Sequence, residues 1–338
     1  MKEFRLYLSH LTFRRVVNLT LCGIGYTFSR LFRKSIVLGM PYSVSLEPTT
    51  RCNLLCPECP TGNGTLNRPL GDMGISLFKN IINQVSPYTT TVLLHFQGEP
   101  LLNARIVDMV KYATSKRIIT EIATNATLIT YPLASNLIKA GIKKIVVSID
   151  SPTEQEFGYY RKGAKLSDVL EGVKNIIEAR DLSGQPYPIV VLEMLAFKRN
   201  INDIDKFIEL GRQLNVDKLR VKSVQVSSGK EGFKEIPVNS VYSRYKMDVD
   251  GTYSLKNYQN KTCPNPWFKL SIYHNGTVVP CCFDKSGIHV LGNANDLKKV
   301  WKSDKYNDFR YKLLVNRNTT PLCAHCPQGR VKLDFDLN

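Results

Sequence analysis

The chain has 338 residues, of which 43% are apolar and 22% charged, and its formal net charge at pH 7 is +17. Such a composition is that of an ordinary globular protein, long enough for a barrel-sized domain and a smaller companion. Nine cysteines are too few for a disulfide scaffold, and their clustering favours metal binding in a reducing, cytoplasmic compartment. The positive charge predicts an anionic partner, either a nucleic acid, a membrane surface or a phosphorylated substrate.

The first 42 residues form a basic, apolar-rich segment with a single acid, Glu3. Its apolar run is far shorter than the ~20 residues of a transmembrane helix, and no signal-peptide cleavage site follows. Two interpretations stay open: a helical pair packed on the body, or a helix lying on an anionic membrane surface. The basic residues are Lys2, Arg5, Arg14, Arg15, Arg30, Arg33 and Lys34. The apolar residues expected to meet lipid are Phe4, Leu6, Leu8, Phe13, Leu31 and Phe32.

Strands then alternate with helices as far as residue 226. Repeated strand–helix units predict a parallel sheet with right-handed crossovers. Because six units do not close an eightfold barrel, we predict an α/β fold built on a partial (βα)6 TIM-like barrel. The predicted strands are 42–48, 90–96, 120–124, 143–150, 187–195 and 217–226, and the predicted helices are 76–85, 104–116, 133–141, 166–181 and 201–215.

Polar residues follow the predicted strands at the end where such folds carry their active sites. A cysteine loop follows the first strand, and Gln97–Pro100 follows the second. Thr124 and Asn125 follow the third strand, and Ser148 and Asp150 end the fourth. We therefore expect these loops to form a single active-site mouth.

The cysteine loop carries Cys52, Cys56 and Cys59 with the spacing C-x3-C-x2-C, and no further cysteine appears until Cys263. Three thiolates can hold three irons of a [4Fe–4S] cluster and leave the fourth iron open to a ligand. An open position separates a reactive metal site from a structural one. The alternative is a structural zinc site completed by a distant fourth ligand.

The three-cysteine loop resembles the cluster motif of the radical SAM superfamily, and the resemblance extends over the six-unit core. In that family the open iron binds S-adenosylmethionine (SAM). One electron then yields a 5′-deoxyadenosyl radical that abstracts a substrate hydrogen. The resemblance implies an oxygen-sensitive enzyme with a SAM-binding [4Fe–4S] cluster and with a flavodoxin or ferredoxin as electron donor.

The segment Gln97, Gly98, Glu99 and Pro100 resembles the family's GGEP motif, with Gln97 in place of the first glycine. In similar enzymes the backbone and the glutamate of this motif meet the methionine amino group. The resemblance therefore implies that these four residues bind SAM.

Four other residues resemble SAM contacts of the family. Thr124 and Asn125 stand where similar enzymes contact the nucleoside or the methionine end, and Ser148 resembles the serine that binds the ribose. Arg161 resembles the arginine that pairs with the methionine carboxylate, a group that suits a fork-shaped cation. The residue before the last loop cysteine usually borders the adenine and is aromatic or apolar. Here it is Glu58, which departs from that pattern.

From about residue 234 the strand–helix alternation stops, and a second set of cysteines begins. Cys263, Gly276 and Cys281 form C-x12-G-x4-C, and Cys323 and Cys326 form C-x2-C. This arrangement resembles the SPASM and twitch extensions of radical SAM enzymes, which bind auxiliary [4Fe–4S] clusters. Because further cysteines of a full SPASM module are missing, we expect one auxiliary [4Fe–4S] cluster on these four cysteines. Full cysteine ligation suits electron transfer.

Alternatives stay open for this second set. Four thiolates could hold zinc structurally. Cys282 is a packed neighbour, a ligand in place of Cys281, or a thiol hydrogen donor. The stretch 263–283 also predicts a hairpin around the turn Asn275–Gly276.

The patterns divide the chain into a basic segment 1–42, a radical SAM barrel 43–233 and a cluster domain 234–338. The first functional hypothesis is a radical SAM oxidoreductase or epimerase that acts on a sugar or cyclitol-type substrate, because the C-terminal extension resembles that of a twitch-containing aminocyclitol dehydrogenase. The net charge favours an anionic small-molecule or lipid-linked substrate and a cytoplasmic protein in peripheral contact with the inner membrane face. No catalytic acid or base is assigned.

The sequence also bears on three other functions. The first is peptide or protein modification, which is weakened because no peptide-binding winged-helix module is recognised. The second is a non-catalytic iron–sulfur electron carrier, which would have no use for SAM-binding residues around an open iron. The third is nucleic-acid modification, which we do not expect because the modules and cysteine patterns of radical SAM enzymes that modify RNA are absent.

Overall fold

The structure is a computed structural model, and it describes residues 1–225, 235–238, 240–256, 262–324, 326 and 332–337. The helices are α1 Lys2–His10, α2 Phe13–Phe32, α3 Ile75–Val85, α4 Ile106–Ser115, α5 Tyr131–Ala140, α6 Glu154–Tyr160, α7 Leu166–Leu182, α8 Ile204–Gln213, α9 Asn265–Phe268, α10 Leu297–Trp301, α11 Asp304–Asn316 and α12 Pro321–Ala324. The strands are β1 Ser43–Leu46, β2 Thr91–Leu94, β3 Ile119–Thr124, β4 Lys144–Ser148, β5 Ile189–Ala196, β6 Lys218–Ser223, β7 Tyr245–Met247, β8 Tyr253–Leu255, β9 Lys269–Ile272, β10 Thr277–Val279, β11 Gly292–Asn293 and β12 Lys332–Asp336.

The six predicted strands are adjacent and parallel, in the order β1-β2-β3-β4-β5-β6. Consecutive strands are therefore neighbours in the sheet. The helix after each strand carries the chain back to the start of the adjacent strand, which is the connection that right-handed crossovers make. The prediction of an α/β fold built on a partial barrel is confirmed.

Alternate residues of each strand face opposite sides of the sheet. On the outer side, Val44 and Val92 pack in one core with Phe78 and Ile82 of α3. On the inner side, an apolar cluster closes the barrel at the end where the strands begin, which we call its lower end. In this cluster Leu6 of α1 packs among strand residues. The strand members of that cluster are Ile119, Val146, Ile189 and Val191.

The N-terminal helices pack on the body, which bears out the first of the two interpretations of this segment as far as packing goes. Glu3 accepts from Lys144 at 2.8 Å and from Lys218 at 2.7 Å, so α1 is ion-paired to the lower barrel rim. Leu6 is only 1% exposed. Its expected contact with lipid is therefore wrong, because it fills the barrel instead. No helix within the described ranges is both long and apolar enough to cross a bilayer.

The C-terminal part extends the same sheet at both edges. β9 pairs in parallel with β1, with Ser43 opposite Lys269, and β10 and β11 continue outward. β12 pairs antiparallel with β6 at the other edge. The predicted hairpin is present as β9–β10, with Gly276 at φ 85° in its turn. The predicted boundary at residues 233 and 234 and the predicted end of the sixth strand at residue 226 lie outside the described residues.

Candidate active site

The loop after β1 brings its three cysteines into an apolar cluster at the barrel mouth. Cys52, Cys56 and Cys59 share this cluster with Leu54 and Tyr160, among others. Burial raises the pKa of the Cys56 thiol to about 11, against the opposing effect of a nearby arginine. A metal must therefore displace a proton to bind this sulfur. Several thiolates on one loop at the barrel mouth are the donor set that binds an iron–sulfur cluster.

Within the described part of the chain, no three His, Cys, Asp or Glu side chains stand close enough to hold one metal ion. A cubane cluster differs from a single ion because each thiolate binds its own iron.

The turn Gln97–Pro100 packs directly against the cysteine loop, and only glycine fits at its second position. Gly98 has φ 74°, and a Cβ atom there would lie 2.5 Å from the carbonyl oxygen of Thr49 and 2.6 Å from that of Arg51. The next amide, Glu99 N–H, donates to the Arg51 carbonyl at 2.7 Å. The backbone of the turn thus sits on the start of the cysteine loop.

The Gln97 side chain reaches the other end of that loop. Its Oε1 accepts from the Thr61 hydroxyl at 3.3 Å and lies 3.9 Å from the Cys59 sulfur. Replacing the motif's first glycine with glutamine thereby adds a contact between the turn and the third cysteine. Pro100 begins the short 3-10 helix Pro100–Leu102.

Glu99 places a buried carboxylate where β2 and β3 end. Its oxygens accept from the Thr124 hydroxyl at 2.7 Å, from the backbone N–H of Asn125 at 2.8 Å and from the backbone N–H of Leu101 at 3.2 Å. Burial raises the pKa of this carboxyl above its ordinary value, although the three hydrogen bonds oppose the change. A cation beside it, such as an ammonium group, would favour the charged form.

Asn125 and Ser148 differ in how much they are free for a ligand. The side-chain Nδ2 of Asn125 donates to Asn53 Oδ1 at 2.9 Å. The side-chain oxygen of Asn125 accepts from the backbone N–H and from the hydroxyl of Thr127. The Asn125 side chain therefore ties the cysteine loop to the end of β3. Ser148 ends β4 and is partly exposed at the mouth.

Arg161 is held at the mouth by an aspartate that has no role in the sequence-based site. Its Nε donates to Asp150 Oδ2 at 2.6 Å, and its Nη1 lies 4.0 Å from the Cys56 sulfur. Asp150 Oδ1 accepts from the Leu195 amide at 2.9 Å, which fixes the carboxylate. Burial lowers the pKa of Arg161, but Asp150 and Cys56 raise it more, so it lies above its usual value. The guanidinium is thus permanently charged beside the cluster loop.

The second set of cysteines also comes together. Cys263, Cys281, Cys323 and Cys326 line one cavity. Burial raises the pKa of the Cys323 thiol to about 12. Cys282 is exposed and does not line the cavity, so it is not the packed neighbour that the sequence suggested. The apolar part of the wall consists of Pro266, Phe283, Phe309, Leu313 and Leu322. Four thiols around one apolar cavity fit a fully ligated cluster.

Two family models match the chain, one over each set of cysteines. The model of the radical SAM superfamily matches residues 46–211, and that of SPASM, an iron-sulfur cluster-binding domain, matches residues 263–327. The chain belongs to the radical SAM superfamily. As such an enzyme it uses a [4Fe–4S] cluster with SAM, and its SPASM domain binds auxiliary iron–sulfur clusters, as predicted.

Curated proteins similar to this radical SAM enzyme have varied names. The tungsten-containing aldehyde ferredoxin oxidoreductase cofactor-modifying protein of Pyrococcus furiosus is 25% identical in an alignment that covers 83% of this chain and 86% of that protein. The AdoMet-dependent heme synthase of Methanosarcina barkeri is 27% identical over 68% of this chain and 64% of its own length. The PqqA peptide cyclase of Rhodopseudomonas palustris is 24% identical over 80% and 76%.

Solved structures of the same fold include two radical SAM proteins. Streptococcus suis SuiB bound to S-adenosylmethionine superposes with a TM-score of 0.63 at 17% identity, over 81% of this chain and 68% of SuiB. BtrN in complex with AdoMet and 2-DOIA gives a TM-score of 0.52 at 20% identity, over 86% of this chain and 94% of BtrN. At these identities the likeness concerns the fold.

Proposed function

We propose that this radical SAM enzyme modifies a peptide or protein substrate by abstracting hydrogen from an unactivated C–H bond. The observation that carries the proposal is an apolar groove beside the cysteine loop. The comparisons support this substrate class better than the sugar or cyclitol-type substrate of the first hypothesis.

The groove has a volume of about 370 Å³ and lies between the segment after β5 and the β7–β8 hairpin. Ile236, Val238 and Tyr253 line it and also belong to the apolar cluster that contains Cys56. Its polar lining residues are Lys198 and Ser240. A sugar needs several convergent hydrogen-bonding groups, whereas a peptide segment can insert an apolar side chain into such a groove.

The names of similar proteins agree with this choice in part. The R. palustris relative is a peptide cyclase, and SuiB has also been solved bound to its precursor peptide. The P. furiosus and M. barkeri relatives are named for cofactor modification and heme synthesis. Because these names point to different substrates, the proposal of a peptide substrate rests mainly on the groove.

Under this proposal the mouth binds SAM through charge complementarity. Cys52, Cys56 and Cys59 hold the cluster, Glu99 accepts from the amino group of SAM, and Arg161 pairs with its carboxylate. When bound, the cluster supplies the electron that cleaves SAM, and the resulting deoxyadenosyl group takes the substrate hydrogen. The buried Glu99 and Arg161 would bind the two charged groups at the methionine end of SAM, next to the cysteine loop.

The remaining mouth residues orient these two charges or meet the nucleoside. Gln97, Gly98 and Pro100 shape the turn that carries Glu99. Thr124 donates to the Glu99 carboxylate and so positions it, while Ser148 is left to meet the ribose. Asn125, expected to contact SAM, supports the site through its bonds to neighbouring loops.

The proposal also assigns the second cavity. Cys263, Cys281, Cys323 and Cys326 hold one auxiliary [4Fe–4S] cluster, because all four line the cavity and Cys282 does not. With four cysteine ligands this cluster has no open iron. Such a cluster would serve electron transfer during substrate modification, and an external donor such as a flavodoxin or ferredoxin would reduce the first cluster.

Replacing Arg161 with alanine should weaken SAM binding about 10- to 150-fold, with the iron content unchanged. The loss corresponds to one charge-assisted bond, about 1.5–3 kcal/mol. Calorimetry under nitrogen measures the affinity. Arg199→Ala is the matched control, since Arg199 pairs with Glu156 away from the cysteine loop.

Removing Arg161 also strands the buried Asp150 carboxylate, so a second variant separates the two effects. In Arg161→Ala/Asp150→Asn the unpaired charge is gone, yet SAM binding should stay weak. Affinity restored in the double variant would mean that Arg161 only neutralises Asp150 and does not bind SAM.

The substrate class is tested by supplying the anaerobic enzyme with SAM, dithionite and either a random peptide library or a panel of sugars and cyclitols. We expect only peptides to raise 5′-deoxyadenosine above the substrate-free background, with altered peptide masses in the products. Stimulation by the sugar panel alone would contradict the proposal.

A groove variant ties that outcome to the structure. Met247→Asp places a charge in the groove at a residue outside the apolar cluster of the cysteine loop, so peptide stimulation should fall at least about tenfold while substrate-free SAM cleavage is unchanged. Val241→Asp is the control, because Val241 is exposed and does not line the groove. Equal stimulation in both variants would show that the substrate binds elsewhere.

A further inference from the structure

Helix α2 buries three polar side chains and exposes most of its large apolar ones. Arg15, Asn18 and Ser29 face the body and are at most 4% exposed. On the opposite side of the same helix, Phe13 is 86% exposed and Leu31 is 69% exposed. A helix on the surface of a globular protein normally has the reverse arrangement.

The buried polar face of α2 is stabilised by an extensive set of hydrogen bonds. The Arg15 guanidinium donates four bonds to backbone carbonyls, none longer than 3.0 Å, at His10, Ser86, Lys116 and Arg117. Ser86 and Lys116 follow the C-termini of α3 and α4, where carbonyl groups lack helical partners. Arg15 therefore locks α2 across the ends of two barrel helices.

The outward face of α2 is mostly apolar, although two exposed threonines, Thr20 and Thr27, interrupt it. Its apolar residues extend over most of a 20-residue helix, about 30 Å long. Isolated apolar residues are common on surfaces, but a stripe of this length that consists mainly of apolar residues indicates an interaction surface. We call this stripe, together with two residues of α1, the outer face; its members are Phe4, Leu8, Phe13, Val16, Val17, Ile24, Phe28 and Leu31, all exposed.

Basic side chains border the outer face, and acidic ones are absent from this part of the sequence. No aspartate or glutamate occurs between Glu3 and Glu47. Glu3 itself points to Lys144 and Lys218 in the barrel. The exposed basic residues at the border are Arg5, Arg14, Arg30, Arg33 and Lys34. An apolar stripe with a basic border complements a surface that has an apolar interior and an anionic boundary.

We propose that the outer face binds an anionic membrane surface, with α2 lying in the plane of the interface. A second copy of this chain is disfavoured as the partner, because two basic borders would repel each other. Spanning is excluded by the buried polar face, since Arg15 and its partners would have to leave the body.

The position of α2 also determines how the docked enzyme is oriented. Its polar face contacts Met40, Tyr88 and Arg117, which precede β1, β2 and β3. The outer face is therefore at the N-terminal ends of the strands, whereas the cysteine loop is at their C-terminal ends. Docking leaves the mouth open to the aqueous side, so a peptide can reach it without leaving solution.

Flotation of the full-length, anaerobically prepared enzyme tests this surface. We expect it to float with vesicles containing phosphatidylglycerol at low salt, and not with pure phosphatidylcholine. High salt should weaken the binding at least about tenfold, because each basic side chain near an anionic surface contributes about 1 kcal/mol that salt screens. Protein that stays at the bottom of the gradient at low salt would overturn the proposal.

A matched pair of variants assigns the binding to the outer face. Phe13→Ser/Ile24→Ser/Phe28→Ser should lose at least about tenfold in vesicle affinity, because the apolar contact area is removed. The control is Leu182→Ser/Val249→Ser/Ile288→Ser, which removes three exposed apolar residues outside the outer face. Equal vesicle binding by the two triple variants would contradict the assignment. So would a wild-type dimer in light scattering that the first triple variant converts to a monomer, since the outer face would then bind a second copy.

Discussion

Replacing Gly98 with alanine should reduce reductive SAM cleavage at least about a hundredfold. Alanine is strained at φ 74°, and its Cβ would lie within 2.6 Å of two backbone carbonyl oxygens, those of Thr49 and Arg51. Backbone atoms cannot move aside as a flexible side chain can, so the turn must shift away from the cysteine loop. Glu99 shifts with it, and displacements of about 1 Å in a catalytic arrangement cost about a hundredfold in rate.

Gly251→Ala is the matched control for this variant. Gly251 has φ 77°, nearly the same backbone conformation, but nothing lies within 4 Å of a Cβ atom there. The control therefore carries the backbone strain without the collision. Production of 5′-deoxyadenosine, measured at matched iron content, should be near wild type in Gly251→Ala and almost absent in Gly98→Ala. Equal activity in the two variants would mean that the turn does not form part of the SAM site.

The iron content should fall by half when the first cysteine set is removed. Anaerobically prepared enzyme is expected to contain about eight irons and about eight acid-labile sulfides, the sum of two cubane clusters. Cys52→Ala/Cys56→Ala/Cys59→Ala should retain about four of each, because the second cavity lies on a different part of the sheet. A triple variant with full iron content would contradict the assignment of the loop.

The same measurement identifies the ligands of the second cluster. Cys281→Ala should lose about four irons, since its thiol lines the cavity, whereas Cys282→Ala should lose none. Zinc in place of iron in the triple variant would mean that the second set is a structural zinc site. The opposite result for the two single variants would exchange the roles of Cys281 and Cys282.

The barrel could be predicted from the sequence because each strand–helix unit is specified locally. The strand β1 and the five strands that follow it are short, mainly apolar stretches, and the helices between them have a clear apolar periodicity. The outer strands of the sheet could not be predicted in the same way. β9 pairs with β1 across more than two hundred residues of sequence, and no local pattern in Lys269–Ile272 specifies that partner.

The site could be predicted as far as its motifs extend. The cysteine loop and the turn carrying Glu99 are adjacent in the structure, as their positions after β1 and β2 suggested. The sequence places Asp150 at the end of the fourth predicted strand but does not predict its pairing with Arg161. Side-chain pairing depends on where α6 returns the chain, and spacing alone does not give that direction.

Helix α2 shows a different limit of sequence reasoning. Its periodicity reveals two faces but does not say which is inside. The usual expectation places the apolar face of a surface helix inward. The carbonyl groups at the ends of α3 and α4 decide the matter, because they need donors that Arg15 supplies.

The most direct test of the central claim is the fate of SAM in the reduced enzyme. Anaerobic protein incubated with SAM and dithionite should release 5′-deoxyadenosine and methionine in equal amounts, and Cys52→Ala/Cys56→Ala/Cys59→Ala should release neither. Wild-type enzyme with its full iron content that binds no SAM and forms no 5′-deoxyadenosine would contradict the account and leave an iron–sulfur electron carrier in its place.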